Sequence, residues 1–318
     1  MKTRLAMTVG DPRGIGPEVV TKALADPWVS ERCDIVVVGP ENSFAHVDIS
    51  VGKWGRTDDA ALAGALSGLA IERAVELAKA GDVDGIVTAP IDKQALLAGG
   101  YDYPGHTEML AELTRSNVAM MLASEKLRVV LATTHLPLRE AIDSLTADVI
   151  VETAHITRSG LCDWFGIAEP RIALCALNPH ASDGGRFGDE EARILEPAAR
   201  SGRLSGPFPA DTVFVRAMRG EFDAVIAPYH DVGMTAIKVA SFGSAVNVTL
   251  GLPFPRTSPD HGTALDIAGQ NRADASSMIE ATLLCASIAA RARSRDDRQG
   301  SGDRQPASRS AARPSRAR

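Results

Sequence analysis

Short apolar runs alternate along this chain with stretches of helical periodicity, and that alternation constrains the fold more than any other feature. Strand-like runs fall at residues 5–9, 34–39, 85–89, 128–133, 171–176, 224–227 and 245–250. Between the second and third, Leu62, Leu66, Leu69, Ala74 and Leu77 recur at helical spacing, with Gly81 as a stop. Further helices are expected at 146–161, 189–200 and 275–290; Asp189, Glu190 and Glu191 open the second and suit the positive end of its dipole. Strands separated by helices imply an α/β fold, a mostly parallel sheet flanked by helices. At 318 residues the chain can form two lobes around a cleft, and residues 1–290 read as a single two-lobed unit. Residues 40–60 read as an irregular connection.

Composition narrows the function class. Hydrophobic residues make up 45% and charged residues 23%, as in an ordinary globular enzyme. The net charge of −6 conceals an Arg-rich end: nine Arg against three Asp after residue 290 leave residues 1–290 at −12. A nucleic-acid partner would need the reverse balance on the folded body. Residues 291–318 are rich in Ser, Arg, Pro and Gly and are expected to be a disordered tail. No apolar run reaches the roughly 18 residues of a membrane helix, and no signal-type segment precedes the first strand. Cys33, Cys162, Cys175 and Cys285 lack metal spacing and read as reduced thiols, so the expected location is cytoplasmic.

The chain has no GxGxxG after its first strand, no GxxxxGK[ST] and no GxSxG, so the standard dinucleotide fingerprint and the serine nucleophile elbow are missing and a P-loop nucleotidase is argued against. Chemistry collects instead where strands end. His135, His180 and His230 each lie just past the carboxyl end of an expected parallel strand, the usual ligand edge of an open α/β sheet. Singly, each could cap a loop; together, three imidazoles can hold one divalent metal with open positions for substrate oxygens. Gly105-His106-Thr107-Glu108 precedes a helix and suits an anion cradle, although a plain cap at Thr107 explains the same residues. Lys238, Asn247 and Arg256 spread basic and polar groups over 236–260, which suggests a small phosphate- or carboxylate-bearing substrate. Gly10 to Glu18 reads as a tight strand-to-helix turn, with Asp11 and Glu18 as weak candidates only.

These blocks resemble the 4-hydroxythreonine-4-phosphate dehydrogenase family of pyridoxal phosphate biosynthesis. The resemblance rests on Gly10-Asp-Pro-Arg-Gly-Ile-Gly-Pro-Glu18, Gly105-His-Thr-Glu108, Thr134-His-Leu-Pro-Leu138, Asn178-Pro-His-Ala181 and Pro209-Ala-Asp-Thr212. Tyr229-His-Asp-Val-Gly233, Val246-Asn-Val-Thr-Leu-Gly-Leu-Pro253 and Arg256-Thr-Ser-Pro-Asp-His-Gly-Thr-Ala264 follow in family order. It implies an isocitrate/isopropylmalate dehydrogenase-like fold and a homodimer with the active site at the subunit interface. His135, His180 and His230 would be the ligands of one zinc, cobalt or magnesium ion. His106, Thr107, Lys238, Asn247 and Arg256 would bind a phosphorylated hydroxy acid. His261, Gly262, Thr263 and Asp266 would bind NAD or NADP through the loop ending at Gly269. Asp231, the catalytic candidate beside His230, could orient that imidazole or take a proton. The implied reaction is oxidation with decarboxylation of 4-phosphohydroxy-L-threonine to 3-amino-2-oxopropyl phosphate, or oxidation of 4-phospho-D-threonate or 4-phospho-D-erythronate. A metal-dependent hydrolase or aldolase, or an inactive sugar-phosphate binder, are the readings from other classes. The chain departs from the family pattern at Val232, where glutamine is usual, in a short 39–62 segment, and in its tail.

Overall fold

The computed structural model describes residues 2–43, 46–241 and 244–302. Eleven strands form one sheet: β1 (Thr3–Thr8), β2 (Cys33–Glu41), β3 (Ile49–Lys53), β4 (Gly85–Thr88), β5 (Ala119–Ala123), β6 (Arg128–Leu131), β7 (Ile172–Cys175), β8 (Ser205–Phe208), β9 (Ala224–Ala227), β10 (Val246–Leu250) and β11 (Arg256–Pro259). The helices are α1 (Gly16–Leu24), α2 (Pro27–Arg32), α3 (Ala60–Ala80), α4 (Lys93–Ala98), α5 (His106–Thr114), α6 (Leu138–Ser144), α7 (Ala147–Asp163), α8 (Glu196–Gly202), α9 (Ala210–Met218), α10 (His230–Ser241) and α11 (Ser276–Gly302). Among the described residues no helix is long and apolar enough to cross a membrane.

The strand order is β3-β2-β1-β4-β11-β10-β5-β6-β9-β7-β8. β3, β2, β1, β4 and β11 are mutually parallel, and so are β6, β9, β7 and β8. Three antiparallel pairings, β11–β10, β10–β5 and β5–β6, join the two arrays and reverse the strand direction between them. The expected parallel sheet is therefore present as two halves, with an antiparallel centre that periodicity did not indicate.

Local signals account for the element ends. Asp59 caps α3 by accepting from the Leu62 amide, and Gly81 closes it at φ 77°, where a Cβ would be strained. Leu66, Ile71, Ala74 and Leu77 turn that helix inward, whereas Leu62 and Leu69 of the expected stripe face solvent. Gly10 follows β1 at φ 76°, and a Cβ there would sit 2.3 Å from the Pro90 carbonyl oxygen.

Packing decides where a cleft can form. α7 and α11 cover one face, reaching across the central strands. On the other face, α3 covers β1, β2 and β4, while α10 covers β6 and β9. Leu5 and Met7 belong to the first core and Ala6 to the second, the period-two alternation of a strand buried on both sides. The middle of that second face lies between the two helical covers and stays open.

Several expectations need correction. Residues 40–60 contain the edge strand β3 and the buried Trp54. Residues 189–200 form a π-helical turn, Glu191–Leu195, running into α8. The last helix does not stop near Ala290 but runs to Gly302; just past Ala290, Arg291 donates to the Phe165 carbonyl and Arg293 pairs with Asp84 at 3.0 Å. The remainder of the expected tail, 303–318, lies outside the described residues.

Candidate active site

The open middle of the sheet is a cleft of about 700 Å³. His106, Thr107, Lys238, Asn247 and Arg256 all line it, as do His135, His230, His261 and Gly262. Asn247 and Ser258 face each other across the β10–β11 pair and form part of its floor. α5 enters from one side and α10 from the other, so residues distant in sequence meet over the antiparallel strands.

Arg256 is only 1% exposed. Its guanidinium donates to Thr249 Oγ1 at 2.9 Å and to Thr88 Oγ1, and its Nε has no partner among the described residues. Burial lowers its pKa to about 10, so it remains a cation at neutral pH. Among the described residues no carboxylate lies within 4 Å of it, an arrangement that a bound anion would compensate. Lys238 pairs with Asp260 at 3.3 Å; burial raises the Asp260 pKa, and Lys238 opposes the rise. His106, the first residue of α5, is held well below the usual histidine pKa by burial, then by the charges of Arg256 and Lys93. Its Nε2 and the Asn247 Oδ1 are buried without partners among the described residues. The cleft thus offers several unpaired polar atoms to a polar ligand. Thr107 lies inside the first turn of α5 and is not its cap, which is Gly105.

The rings of His135 and His230 stand 5.8 Å apart, centroid to centroid. Two imidazoles on one tetrahedral ion place their centroids roughly 5 Å apart, so this pair fits a divalent metal. His230 Nδ1 lies 2.7 Å from Asp231 Oδ1, and His135 Nδ1 lies 3.5 Å from Glu108 Oε1. With a carboxylate at each Nδ1, each Nε2 is left for a metal.

His180 is elsewhere. It sits in a left-handed turn, with φ 53° at His180, 52° at Ala181, 68° at Ser182 and 45° at Asp183, and its ring faces Phe187. Buried Glu191 holds this turn, accepting from the amides of Leu177 and Asn178 and from Ser182 Oγ. Among the described residues no three His, Cys, Asp or Glu side chains form a metal-ready group. One chain therefore brings two of the three expected histidines together.

The loop from His261 continues away from the cleft. The Thr263 carbonyl accepts from the Ile15 amide at 2.9 Å, and Asp266 is exposed. Ala268 and Gly269 line a second cleft of about 550 Å³ beside Arg13, Trp54 and Arg56. Asp11 and Glu18 are paired with Arg13 and Lys22. Val232 packs against the apolar cluster beneath α10.

Sequence reasoning passed over Lys93 and gave no role to Glu108 and Asp260 within their blocks, and all three line the first cleft. Lys93 had a signal, since it follows the end of β4 by five residues, at the first position of a helix capped by Asp92.

A polar cleft with a buried cation and paired imidazoles, set on an α/β sheet, defines an enzyme built for a small anionic substrate and suited to a divalent metal. Comparison with known proteins fixes the family. Residues 18–285 match the model described as pyridoxal phosphate biosynthetic protein PdxA, and the chain belongs to that family. It is 42% identical to the 4-hydroxythreonine-4-phosphate dehydrogenase of Geobacter metallireducens, over 91% of this chain and 96% of that one. It is 41% identical to the D-threonate 4-phosphate dehydrogenase of Cupriavidus necator, over 90% and 97%. The crystal structure of the 4-hydroxythreonine-4-phosphate dehydrogenase of Klebsiella pneumoniae superposes with a TM-score of 0.81 at 38% identity, covering 91% of this chain and 98% of that one. The chain is an oxidoreductase acting on a CH–OH group.

Proposed function

We propose that the protein oxidises 4-phosphohydroxy-L-threonine, with loss of CO₂, to 3-amino-2-oxopropyl phosphate. The observation that carries this reading is the convergence of His106, Thr107, Lys238, Asn247 and Arg256 with His135 and His230 on one cleft. Relatives named for D-threonate 4-phosphate share the chain to the same degree, so oxidation of 4-phospho-D-threonate or 4-phospho-D-erythronate is the second reading.

The first turn of α5, with Thr107 and His106, receives the phosphate. Arg256 supplies a fixed positive charge behind it, and Asn247 a polar contact from the floor of the cleft. Asp231 Oδ1 holds the Nδ1 proton of His230, which fixes the tautomer that leaves Nε2 free. His135, His230 and His180 would hold a divalent ion, zinc, cobalt or magnesium. Since His180 stands apart from the other two, it is supplied by a second copy of the chain, as in a homodimer with the active site at the interface. The loop of His261, Gly262, Thr263 and Asp266 would hold NAD or NADP, its first residues at the substrate cleft and its last at the second cleft. When bound, the ion supplies Lewis-acid polarisation of the alcohol and the nicotinamide accepts hydride. The cleft positions the substrate so that the carbon losing hydride and the carboxylate lost as CO₂ are fixed relative to these groups.

The test is NADH or NADPH formation at 340 nm with purified protein and added metal. The expected result is preference for 4-phosphohydroxy-L-threonine over both phosphorylated hydroxy acids, with activity abolished by a chelator and restored by metal. Preference for the hydroxy acids would establish the second reading. Substrate-induced thermal stabilisation without turnover would leave a binding protein.

A further inference from the structure

The cleft contains a cation that the reading above does not use. Arg256 is buried and donates from its two terminal nitrogens to Thr249 and Thr88, Lys238 is paired with Asp260, and His106 resists protonation. Lys93 also lines the cleft, and among the described residues no carboxylate lies within 4 Å of its ammonium. Its position relative to α5 is well defined. A Cβ built on Gly105, the cap of α5, would meet the Lys93 Cε at 3.7 Å and Glu108 Oε2 at 3.5 Å. The lysine stem therefore passes over the start of that helix. The first backbone bond of α5 runs from the Met109 amide to the Gly105 carbonyl, so the amides of His106 and Thr107 precede the helical ladder, while the Glu108 amide bonds its own carboxylate. Glu108 places a carboxylate at this end, and its Oε1 turns to His135.

A phosphate dianion placed here meets helix amides, the Thr107 hydroxyl and a neutral imidazole, with Arg256 buried behind them, and Lys93 adds a second full positive charge from the exposed side. We propose that Lys93 is the cation that binds the substrate's phosphate, and that it sets the preference for phosphorylated over unphosphorylated hydroxy acids. The proposal rests on the phosphorylated-substrate reading above and assigns its specificity to one side chain. Lys93 lies at the exposed start of α4, where its replacement leaves the core intact.

Two measurements on the full-length protein test this. Calorimetric titration with inorganic phosphate should show Lys93→Met binding about 10- to 100-fold more weakly than wild type, and Lys93→Arg within about threefold of it. With metal and cofactor added, Lys93→Met should raise KM for 4-phosphohydroxy-L-threonine with little change in kcat, while activity on unphosphorylated 4-hydroxy-L-threonine stays as it was. Unchanged phosphate affinity in Lys93→Met overturns the proposal. So does an equal loss on the phosphorylated and unphosphorylated substrates, which would place Lys93 at the reacting end. If wild-type protein turns over neither substrate, the assigned reaction fails, and the phosphate titration still decides the role of Lys93.

Discussion

Burial strips water from around His106, and Arg256 and Lys93 add positive charge nearby, so its imidazole resists protonation at pH values where a free histidine accepts it. In the unfolded chain the same residue titrates near 6.5. Below that pH the unfolded state takes up a proton that the folded state refuses, and stability falls as pH falls. Thermal melts at pH 7.5, 6.5 and 5.5 should therefore show a decline that is shallower in His106→Gln; parallel declines would mean that the imidazole protonates freely in the fold. Arg256 shows the limit of reading at this scale. Its prolines and apolar neighbours marked it in the sequence as an unusual arginine, but not the two threonine hydroxyls, 7 and 168 residues away, that grip it. Lys93 was missed for a related reason: its value comes from standing over the start of α5, a relation that exists only in three dimensions.

At the scale of elements, the turn that carries His180 depends on one carboxylate. Burial opposes ionisation of Glu191, but the bonds from Ser182 and Asn178 outweigh it, so its pKa lies below the usual range. Four consecutive residues with positive φ, none of them glycine, are held by those bonds. Glu191→Gln should cost about 2–3 kcal/mol in urea unfolding at pH 7. As acid protonates the carboxylate, the stability held by its depressed pKa is lost, so the gap between variant and wild type should narrow below about pH 4. A variant as stable as wild type at pH 7 would show that the turn holds without the charge. The sequence made some elements plain and hid others. Strands β2, β4, β6, β7, β9 and β10 announced themselves through Val and Ile, and β1 through the apolar run that ends at Val9. The Ala-Met-Met-Leu-Ala of β5 uses good helix formers, which become a strand because both faces are buried. β11 reads Arg-Thr-Ser-Pro, with no apolar residue, and is a strand because its side chains pair with buried hydroxyls and helix carbonyls.

At the scale of the whole molecule, the separation of His180 from His135 and His230 makes a claim about assembly. If each site takes His180 from one chain and the other two from its neighbour, His180→Ala and His230→Ala proteins, each inactive alone, should complement when mixed and refolded. Equal mixing gives half heterodimers, each with one intact site, and recovery of about a quarter of wild-type activity. No recovery would require all three ligands to come from one chain. The parallel halves, the helical covers and the strand-end histidines were legible because local periodicity and turn chemistry encode them. The antiparallel centre was not, since it depends on which distant strands find each other.

That centre also bears on how the chain is made. β11 is the last strand in the sequence, yet it sits between β4 and β10 in mid-sheet. Until Arg256–Pro259 leaves the ribosome, β4 and β10 both present open edges, and the two halves of the sheet have nothing to align them. The floor of the cleft thus comes into being only near the end of synthesis, and a chain broken off before that point retains no partly working site.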